Sequence, residues 1–223
     1  FIKKTYPKLS YLHICYEIYR AYEKARAIDE IEDFVRKNIG FETNLGSFER
    51  LHRHFLIDLD RAQTIRTIRE VNRDYSTNFR LLDVQKPEKP LRVGFVGEFF
   101  VVLEPFSNFF IEKQLALYGV EMHRPLTVTS TVRNITFHDR YLRQQLALAD
   151  PYLHHPLGAE GTENIAHAVQ YAKQGFDGLI HVKPFGCMPE INAMPVLHRV
   201  AEDFHFPILY FSFDSLTSET GMK

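Results

Sequence analysis

Residues 177–190 read DGLIHVKPFGCMPE, and a strand, a turn and the start of a helix are predicted within them. The run 177–182 has the length and apolar character of a short buried strand. Gly186 then allows the backbone to turn tightly, and Pro189 suits the first position of a helix. A strand that passes through a short loop into a helix is the building unit of a parallel sheet covered by helices. These residues therefore predict a fold that contains such a sheet.

Three further strands are predicted after residue 90, at 92–97, 120–123 and 208–213. Helices are predicted between them: one covers 106–117, a second is capped by Thr162 and ended by Gly175, and a third begins at Pro189. Strands that alternate with helices of this length require right-handed crossovers. The sequence thus predicts an α/β fold, a Rossmann-like open parallel sheet of about four strands with helices on both faces.

The first part of the chain, 1–84, is predicted to be helical and to pack on the domain that follows. Apolar side chains recur there at spacings of three and four residues, which is typical of two or three amphipathic helices. The first such stripe consists of Leu12, Cys15, Tyr16, Tyr19 and Tyr22. Ser10 and Ser47 are placed to cap two of the helices. QKPEKP at 85–90 is interpreted as a linker because of its prolines and charges, and 91–223 as the Rossmann-like domain.

The composition is that of an ordinary globular chain; it argues against a nucleic-acid-binding domain, though not against a small basic patch, and it excludes a transmembrane helix. The sequence has 27 Lys and Arg against 28 Asp and Glu, a formal charge of −1, and 45% hydrophobic residues. This balance lacks the excess of basic residues that binding to nucleic acid requires. No apolar run approaches the roughly 18–20 residues that span a bilayer, so a transmembrane helix is excluded.

The cysteines and the first residues set expectations about where the protein works. Cys15 and Cys187 are too few and too far apart for a disulfide scaffold, which favours a reducing, cytoplasmic environment. The chain opens at Phe1 without an initiator Met or an apolar signal core, so we expect it to be part of a longer polypeptide.

Candidate functional residues are expected at one edge of the sheet, because ligands of open parallel sheets bind beyond the carboxyl ends of the strands. That rule selects the loops at 97–105, 184–189 and 214–221. The polar residues in or beside these loops are Glu98, Glu104, Asn108, Cys187, Glu190, Asp214, Ser215, Thr217 and Glu219. Polar side chains at strand ends also cap helices, so each has a structural interpretation beside the functional one.

Cys187 is the strongest of these candidates. It directly precedes a predicted helix, whose positive end favours thiolate over thiol. A thiolate ligates iron or attacks an electrophile; the alternative is a small buried side chain without a chemical role. Cys15 lies in an apolar stripe and is predicted to belong to the core. The glycine-rich stretch 158–162 matches no phosphate-binding pattern and is interpreted as a turn that enters a helix.

Several stretches resemble one known family. VGFVGE at 93–98, EPFSN at 104–108 and GFDGLIHVKPFGCMPE at 175–190 are similar to segments of the activase-related family of 2-hydroxyacyl-CoA dehydratase proteins. RAYE at 20–23 resembles the Pro-Tyr-Glu element of that family, with Ala21 in the place of proline. The likeness covers nearly all of the chain. The family's anaerobic proteins are similar to 2-hydroxyglutaryl-CoA dehydratase and benzoyl-CoA reductase subunits and are often fused to, or encoded with, an ATP-hydrolysing activase.

The resemblance implies a role in iron–sulfur chemistry. In the dehydratase subunits, cysteines from two α/β domains hold a 4Fe-4S cluster, so Cys187 would be the ligand that the later domain supplies. An N-terminal α/β domain would supply the other ligands, and Glu98, Asn108, Glu190 and Asp214 would contribute to cofactor binding. An ATP-dependent activase would drive low-potential electron transfer to an acyl-CoA. We expect no catalysis from this part of the chain alone.

The residues themselves leave two other functions open. A non-catalytic docking or regulatory module would keep the Rossmann-like fold and lack the cluster. An independent small-molecule enzyme would use Cys187 as a nucleophile, although no base is visible near it in the sequence. Because the chain stops before a helix that should cover the strand at 208–213, exposed apolar surface is also expected to favour self-association, as in a homodimer.

Overall fold

The computed structural model describes residues 5, 6 and 8–214, and the chain divides into two compact units. Residues 1–35 and 42–84 are assigned to a helical unit, and residues 36–41 and 85–223 to an α/β unit. The carbonyl oxygen of Phe41 accepts a hydrogen bond from the backbone of Gln85 at 2.8 Å. The short segment 36–41 is thereby tied to the predicted linker, within the α/β unit.

Three helices are described in the helical unit between residues 8 and 84: α1 Tyr11–Asn38, α2 Ser47–Arg61 and α3 Ile65–Arg80. The Ser10 hydroxyl accepts a hydrogen bond from the backbone N–H of His13 at 3.1 Å, so the predicted cap of α1 is confirmed. The largest fully buried side chains of this unit are Ile31, Phe48, Phe55, Leu59, Ile68 and Phe79. All of them are apolar, and they form the core that the amphipathic pattern predicts.

The first turns of α1 contradict the predicted core. Cys15 is exposed and Leu12 keeps 85% of its surface accessible, so the prediction of a core position for Cys15 is wrong. The reason is length: α1 has 28 residues, or about 42 Å at 1.5 Å per residue, whereas α2 has 15 and α3 has 16. The shorter helices cannot cover the whole apolar stripe, and full burial in α1 begins only at Glu23 and Ala27.

The start of α2 is also capped differently from the prediction. The cap position is Gly46, with a φ of 79°, and Ser47 is the first helical residue. The carboxylate of Glu42 accepts hydrogen bonds from the backbone of Gly46 at 2.7 Å, the Ser47 hydroxyl at 2.9 Å and the backbone of Phe48 at 3.1 Å. An acidic side chain from before the helix therefore satisfies its free N–H groups, which is the role predicted for Ser47.

The α/β unit contains a four-stranded, all-parallel sheet, as predicted. The strands are β1 Leu91–Gly97, β2 Val120–His123, β3 Gly178–Pro184 and β4 Ile208–Phe213, and their order is β2-β1-β3-β4. Because β2 lies on one side of β1 and β3 on the other, the strand order reverses between β1 and β3. In open α/β sheets this switch point is where a crevice opens for ligands.

Helices cover both faces of the sheet, in agreement with the predicted fold. They are α4 Phe99–Leu103, α5 Ile111–Ala116, α6 Val128–Thr136, α7 His138–Ala149, α8 Gly161–Lys173 and α9 Met188–Phe204. Neighbouring residues of β1 contribute to separate cores, because successive side chains of a strand point to opposite faces. Phe95 packs with Val102 and Ile111 in one core, and Val96 packs with Ile165 and Leu197 in the other.

The predicted helix at 106–117 is interrupted. A 3-10 turn covers Pro105–Asn108, and α5 begins only at Ile111. Between them, Phe109 and Phe110 have left-handed backbone angles, with φ of 56° and 57°. The apolar spacing is correct for a helix, but two consecutive residues with positive φ cannot be part of one.

Two further details of the α/β unit differ from the sequence prediction. Helices α6 and α7 lie in a stretch for which no helix was predicted. Thr162 lies inside α8, whose cap position is Glu160. The Thr162 hydroxyl instead bridges back to Leu157, accepting from its N–H at 2.8 Å and donating to its carbonyl at 3.0 Å.

Across the residues that the structure describes, no helix is both long enough and apolar enough to cross a bilayer.

Candidate functional site

The switch point of the sheet brings the ends of β1 and β3 very close together. The backbone N–H of Glu98 donates to the carbonyl of Val182 at 3.0 Å. Gly97 has a φ of 149°, and a Cβ at this position would overlap the Val182 carbonyl oxygen. Only glycine fits here, because it combines the backbone angle with the close approach of two strands.

Cys187 lies beside this switch point, at the carboxyl end of β3. It is the cap residue of α9, with φ of −66° and ψ of 103°, and its side chain is partly exposed. Its carbonyl accepts the hydrogen bond of Ile191 N–H at 2.9 Å, which starts the helix. The tight turn before it is made at Gly186, with a φ of 80°. The strand, loop and helix predicted from residues 177–190 are confirmed.

The electrostatic surroundings of Cys187 differ from the prediction. Burial raises the pKa of the Cys187 thiol, and the carboxylates of Glu190, Glu98 and Glu160 raise it further, whereas a hydrogen bond from the Glu190 backbone lowers it. Burial, and after it the neighbouring carboxylates, disfavour the charged thiolate, so the thiol form is favoured here. The expectation that the helix start makes Cys187 a thiolate is therefore wrong for these surroundings.

Behind Cys187, a fully buried polar network connects both strands of the switch point to two helices. The Glu190 carboxylate lies 2.6 Å from Nε2 of His181 and accepts from Nδ2 of Asn164 at 2.8 Å. Oδ1 of Asn164 in turn accepts from the backbone of Gly97 at 3.2 Å. Glu190 and His181 have no exposed surface. This network fixes β1, α8, β3 and α9 relative to one another at the sheet's ligand-binding edge.

Among the other predicted site residues, Glu98 and Glu104 are held by local hydrogen bonds. Glu98 caps α4 by accepting from Val101 N–H at 3.0 Å. Glu104 caps the 3-10 turn by accepting from Phe106 N–H at 3.2 Å. Asp214 directly follows β4 and is exposed. Ser215, Thr217 and Glu219 fall outside the described residues.

Asn108 is 2% exposed and uses both ends of its amide within the chain. Its Nδ2 donates to the Val101 carbonyl at 2.6 Å, and its Oδ1 accepts from Ile111 N–H at 3.2 Å. These bonds hold the break between the 3-10 turn and α5.

Of the residues predicted to bind a cofactor, Glu98 and Glu190 lie close enough to Cys187 to act on the pKa of its thiol. Their role in binding stays a prediction.

A pocket near the end of β1 was not predicted. We call it the α6–α8 pocket and define it by the six residues that line both of its hollows, one of about 270 Å³ and one of about 510 Å³. They are Leu126, Asn134, Tyr141, Gln145, Glu160 and Glu163. The pocket was missed because α6 and α7, which supply three of the six residues, were not predicted. The feature of the sequence that could have indicated the pocket is a pair of carboxylates three residues apart, Glu160 and Glu163, at the start of α8.

The carboxyl groups of the α6–α8 pocket are strongly perturbed. Burial raises the pKa of Glu163 to about 7, and the charges of Glu160 and Glu190 add to this effect, while a hydrogen bond from Tyr141 opposes it. Burial also raises the pKa of Glu160. Carboxyl groups with a raised pKa are common in functional sites, so this pocket is a second candidate beside Cys187.

The donor atoms of the described residues do not complete a metal or cluster site. No group of three or more His, Cys, Asp or Glu side chains among them is arranged to hold a metal ion. A 4Fe-4S cluster is held by four ligands, and Cys187 is the one thiol that the described part of the α/β unit contains. These residues alone therefore do not fit a whole cluster, and they supply one thiolate ligand at most.

Comparison with known proteins found no match, either to a protein-family model or to a curated protein sequence. The family resemblance accordingly depends on the sequence stretches alone, at 20–23, 93–98, 104–108 and 175–190.

Proposed function

We propose that the α/β unit is a domain of a 2-hydroxyacyl-CoA dehydratase/activase-type protein and that Cys187 is one ligand of its iron–sulfur cluster. The observation that carries the proposal is the position of Cys187. It is a partly exposed thiol at the start of α9, next to the switch point of a parallel sheet. A ligand shared between two domains has to lie at such an edge, where a second domain can approach.

In this proposal the remaining ligands come from an N-terminal α/β domain, and a partner activase couples ATP hydrolysis to electron transfer. When bound, the cluster would supply low-potential electrons for an acyl-CoA substrate. The chain's own contribution is placement: Gly186 turns the backbone, and the buried Glu190 network fixes the loop that presents Cys187. The cysteine content supports a reducing environment, and we propose the cytoplasm as the location.

The raised pKa of Cys187 separates this proposal from a nucleophilic enzyme. Without a metal, burial and the surrounding carboxylates keep the thiol protonated near neutral pH, and a protonated thiol is a poor nucleophile. Coordination to a cation removes that proton, because the metal charge outweighs the neighbouring negative charges. The surroundings therefore suit a metal ligand better than an unassisted nucleophile.

The experiment is an anaerobic iron and sulfide analysis of the full-length protein beside its Cys187→Ser and Cys15→Ser variants. We expect Cys187→Ser to lose most of the bound iron and Cys15→Ser, which changes an exposed cysteine of the helical unit, to retain it. Equal iron in the wild type and in Cys187→Ser would remove Cys187 from the coordination sphere.

The second candidate is a docking or regulatory module that binds no cluster. It is favoured by the donor set, because Cys187 has no second thiol among the described residues of its unit. The same analysis distinguishes the two: wild-type full-length protein without iron or sulfide, purified anaerobically, supports the docking module. Additional cysteines in an upstream α/β domain of the full-length chain support the cluster.

A further inference from the structure

The α6–α8 pocket contains hydrogen-bond acceptors that the chain does not satisfy. Oδ1 of Asn134 and Oε1 of Gln145 are buried and have no hydrogen-bond partner. The two residues are 9% and 5% exposed, and both line both hollows of the pocket. A buried acceptor without a partner is destabilising, so its retention in a pocket indicates a ligand or water that donates to it.

The charges of the pocket point to the same kind of ligand. Glu160 and Glu163 contribute two half-buried carboxyl groups, and Tyr141 donates to Glu163. His167 lines the smaller hollow but brings no positive charge near neutral pH, because burial lowers its pKa to about 4. Arg133 also lines the smaller hollow, but it is exposed, so solvent screens its charge. The buried groups therefore favour a cation.

We propose that the α6–α8 pocket binds a small organic cation that carries N–H donors, either a primary ammonium or a guanidinium ion. The N–H groups would donate to the free oxygens of Asn134 and Gln145, and the positive charge would lie beside the Glu160 and Glu163 carboxylates. A metal ion is a poorer fit, because no trio of metal-ligating side chains is found among the described residues. Glu160 of this pocket also acts on the charge of Cys187, but Cys187 does not line either hollow, and the proposal does not depend on the cluster.

Calorimetric titration of the full-length protein with n-propylammonium and with methylguanidinium tests the proposal. N,N,N-trimethylpropylammonium is the matched probe, because it has the same charge and no N–H donor. We expect at least one of the first two ions to bind saturably at one site per chain, about tenfold or more tightly than the trimethyl ion. Equal binding of the trimethyl ion, or no saturable binding of either N–H donor, would overturn the proposal and indicate that water alone satisfies the two oxygens.

Variants locate the site. Glu163→Gln removes the charge, and Gln145→Leu removes a free oxygen at similar volume; each should weaken binding about tenfold. Glu202→Gln, an acid-to-amide change at a position 67% exposed on α9, should leave it unchanged. Unchanged binding in both Glu163→Gln and Gln145→Leu would contradict the assignment. Two chemically different variants keep the test valid if one of them fails to fold.

Discussion

The carboxylate of Glu23 in α1 is almost fully buried and is surrounded by donors. Arg69 donates to it twice, from Nε at 3.2 Å and from Nη2 at 2.9 Å, and Arg26 adds a third contact at 3.1 Å. Hydrogen bonds from Arg69, and then from Tyr19 and Arg26, hold the pKa of Glu23 down at about 2, against the desolvation that would raise it. Glu23 belongs to the RAYE stretch that supports the family resemblance, and the structure gives this stretch a role in stability.

Glu23 makes the stability of the helical unit depend on acid pH. Its pKa is about 4.5 when unfolded and about 2 when folded, so its stabilisation is complete above pH 4.5 and is lost as the pH falls towards 2. Glu23→Gln should cost roughly 2 kcal/mol at pH 7, a value reduced because Arg69 is half exposed, and the difference should vanish near pH 2.

Urea unfolding at pH 7, 4 and 2.5 measures this difference. Glu17→Gln is the matched control, because Glu17 forms an ion pair with Arg20 on the surface of the same helix, and it should change stability by about 0.5 kcal/mol or less. A Glu23→Gln deficit that stays constant from pH 7 to pH 2.5 would contradict the role of the charge.

For single residues, the sequence predicts the place of a side chain in the fold better than its charged and hydrogen-bonding neighbours. Cys187 was located correctly, because glycine and proline mark the turn and the helix start around it. Its raised pKa was not predictable, because Glu98 and Glu160 approach it from parts of the chain about 90 and 27 residues away. The unpartnered oxygens of Asn134 and Gln145 were not predictable for a similar reason: only the tertiary fold decides whether an amide is buried and paired.

Among the elements, strands were predicted to within two residues, whereas the short helix α4 and the helices α6 and α7 were missed. The strands are short, mostly apolar and bounded on at least one side by Gly or Pro, which are strong local signals. Helix α6 has no such signal: its apolar residues Val128, Val132 and Ile135 are 48%, 46% and 72% exposed, and its buried residue is Asn134. The buried residues of α7 include Gln145. Where polar residues face the interior, hydrophobic periodicity cannot identify a helix.

The break between the 3-10 turn and α5 depends on one side chain, and this can be tested. Asn108→Ala removes the hydrogen bond to Ile111 N–H and the 2.6 Å bond to the Val101 carbonyl, which keeps only a long contact of 3.4 Å from the Ser107 hydroxyl. We expect a loss of about 1–3 kcal/mol in the free energy of unfolding. Asn192→Ala, at an exposed position of α9, should change it by about 0.5 kcal/mol or less in urea unfolding. Similar values for the two variants would show that Asn108 does not hold the break.

In the α/β unit as a whole, the strand order reverses between β1 and β3. The carboxyl end of β1 therefore lies beside three features: Cys187, the buried Glu190 network and the α6–α8 pocket. Val96 lines that pocket, Gly97 donates to Asn164 of the network, and Glu98 acts on the charge of Cys187. Three consecutive residues therefore connect the two candidate sites. The sequence predicts this edge through the general rule for parallel sheets, but the strand order that selects β1 and β3 follows only from the pairing of distant segments.

Gly97 is the position at which this arrangement is most sensitive to substitution. In Gly97→Ala, a Cβ on a backbone with φ of 149° would meet the Val182 carbonyl, a backbone atom that cannot move without separating β1 from β3. We expect a loss of about 2–4 kcal/mol in the free energy of unfolding, together with weaker binding in the α6–α8 pocket. Gly158→Ala is the matched control, because its Cβ would make an ordinary contact, 3.9 Å from Pro189. Urea unfolding that gives equal stabilities for the two variants would contradict the close approach of the strands, because only the Gly97 change requires the sheet to open at its switch point.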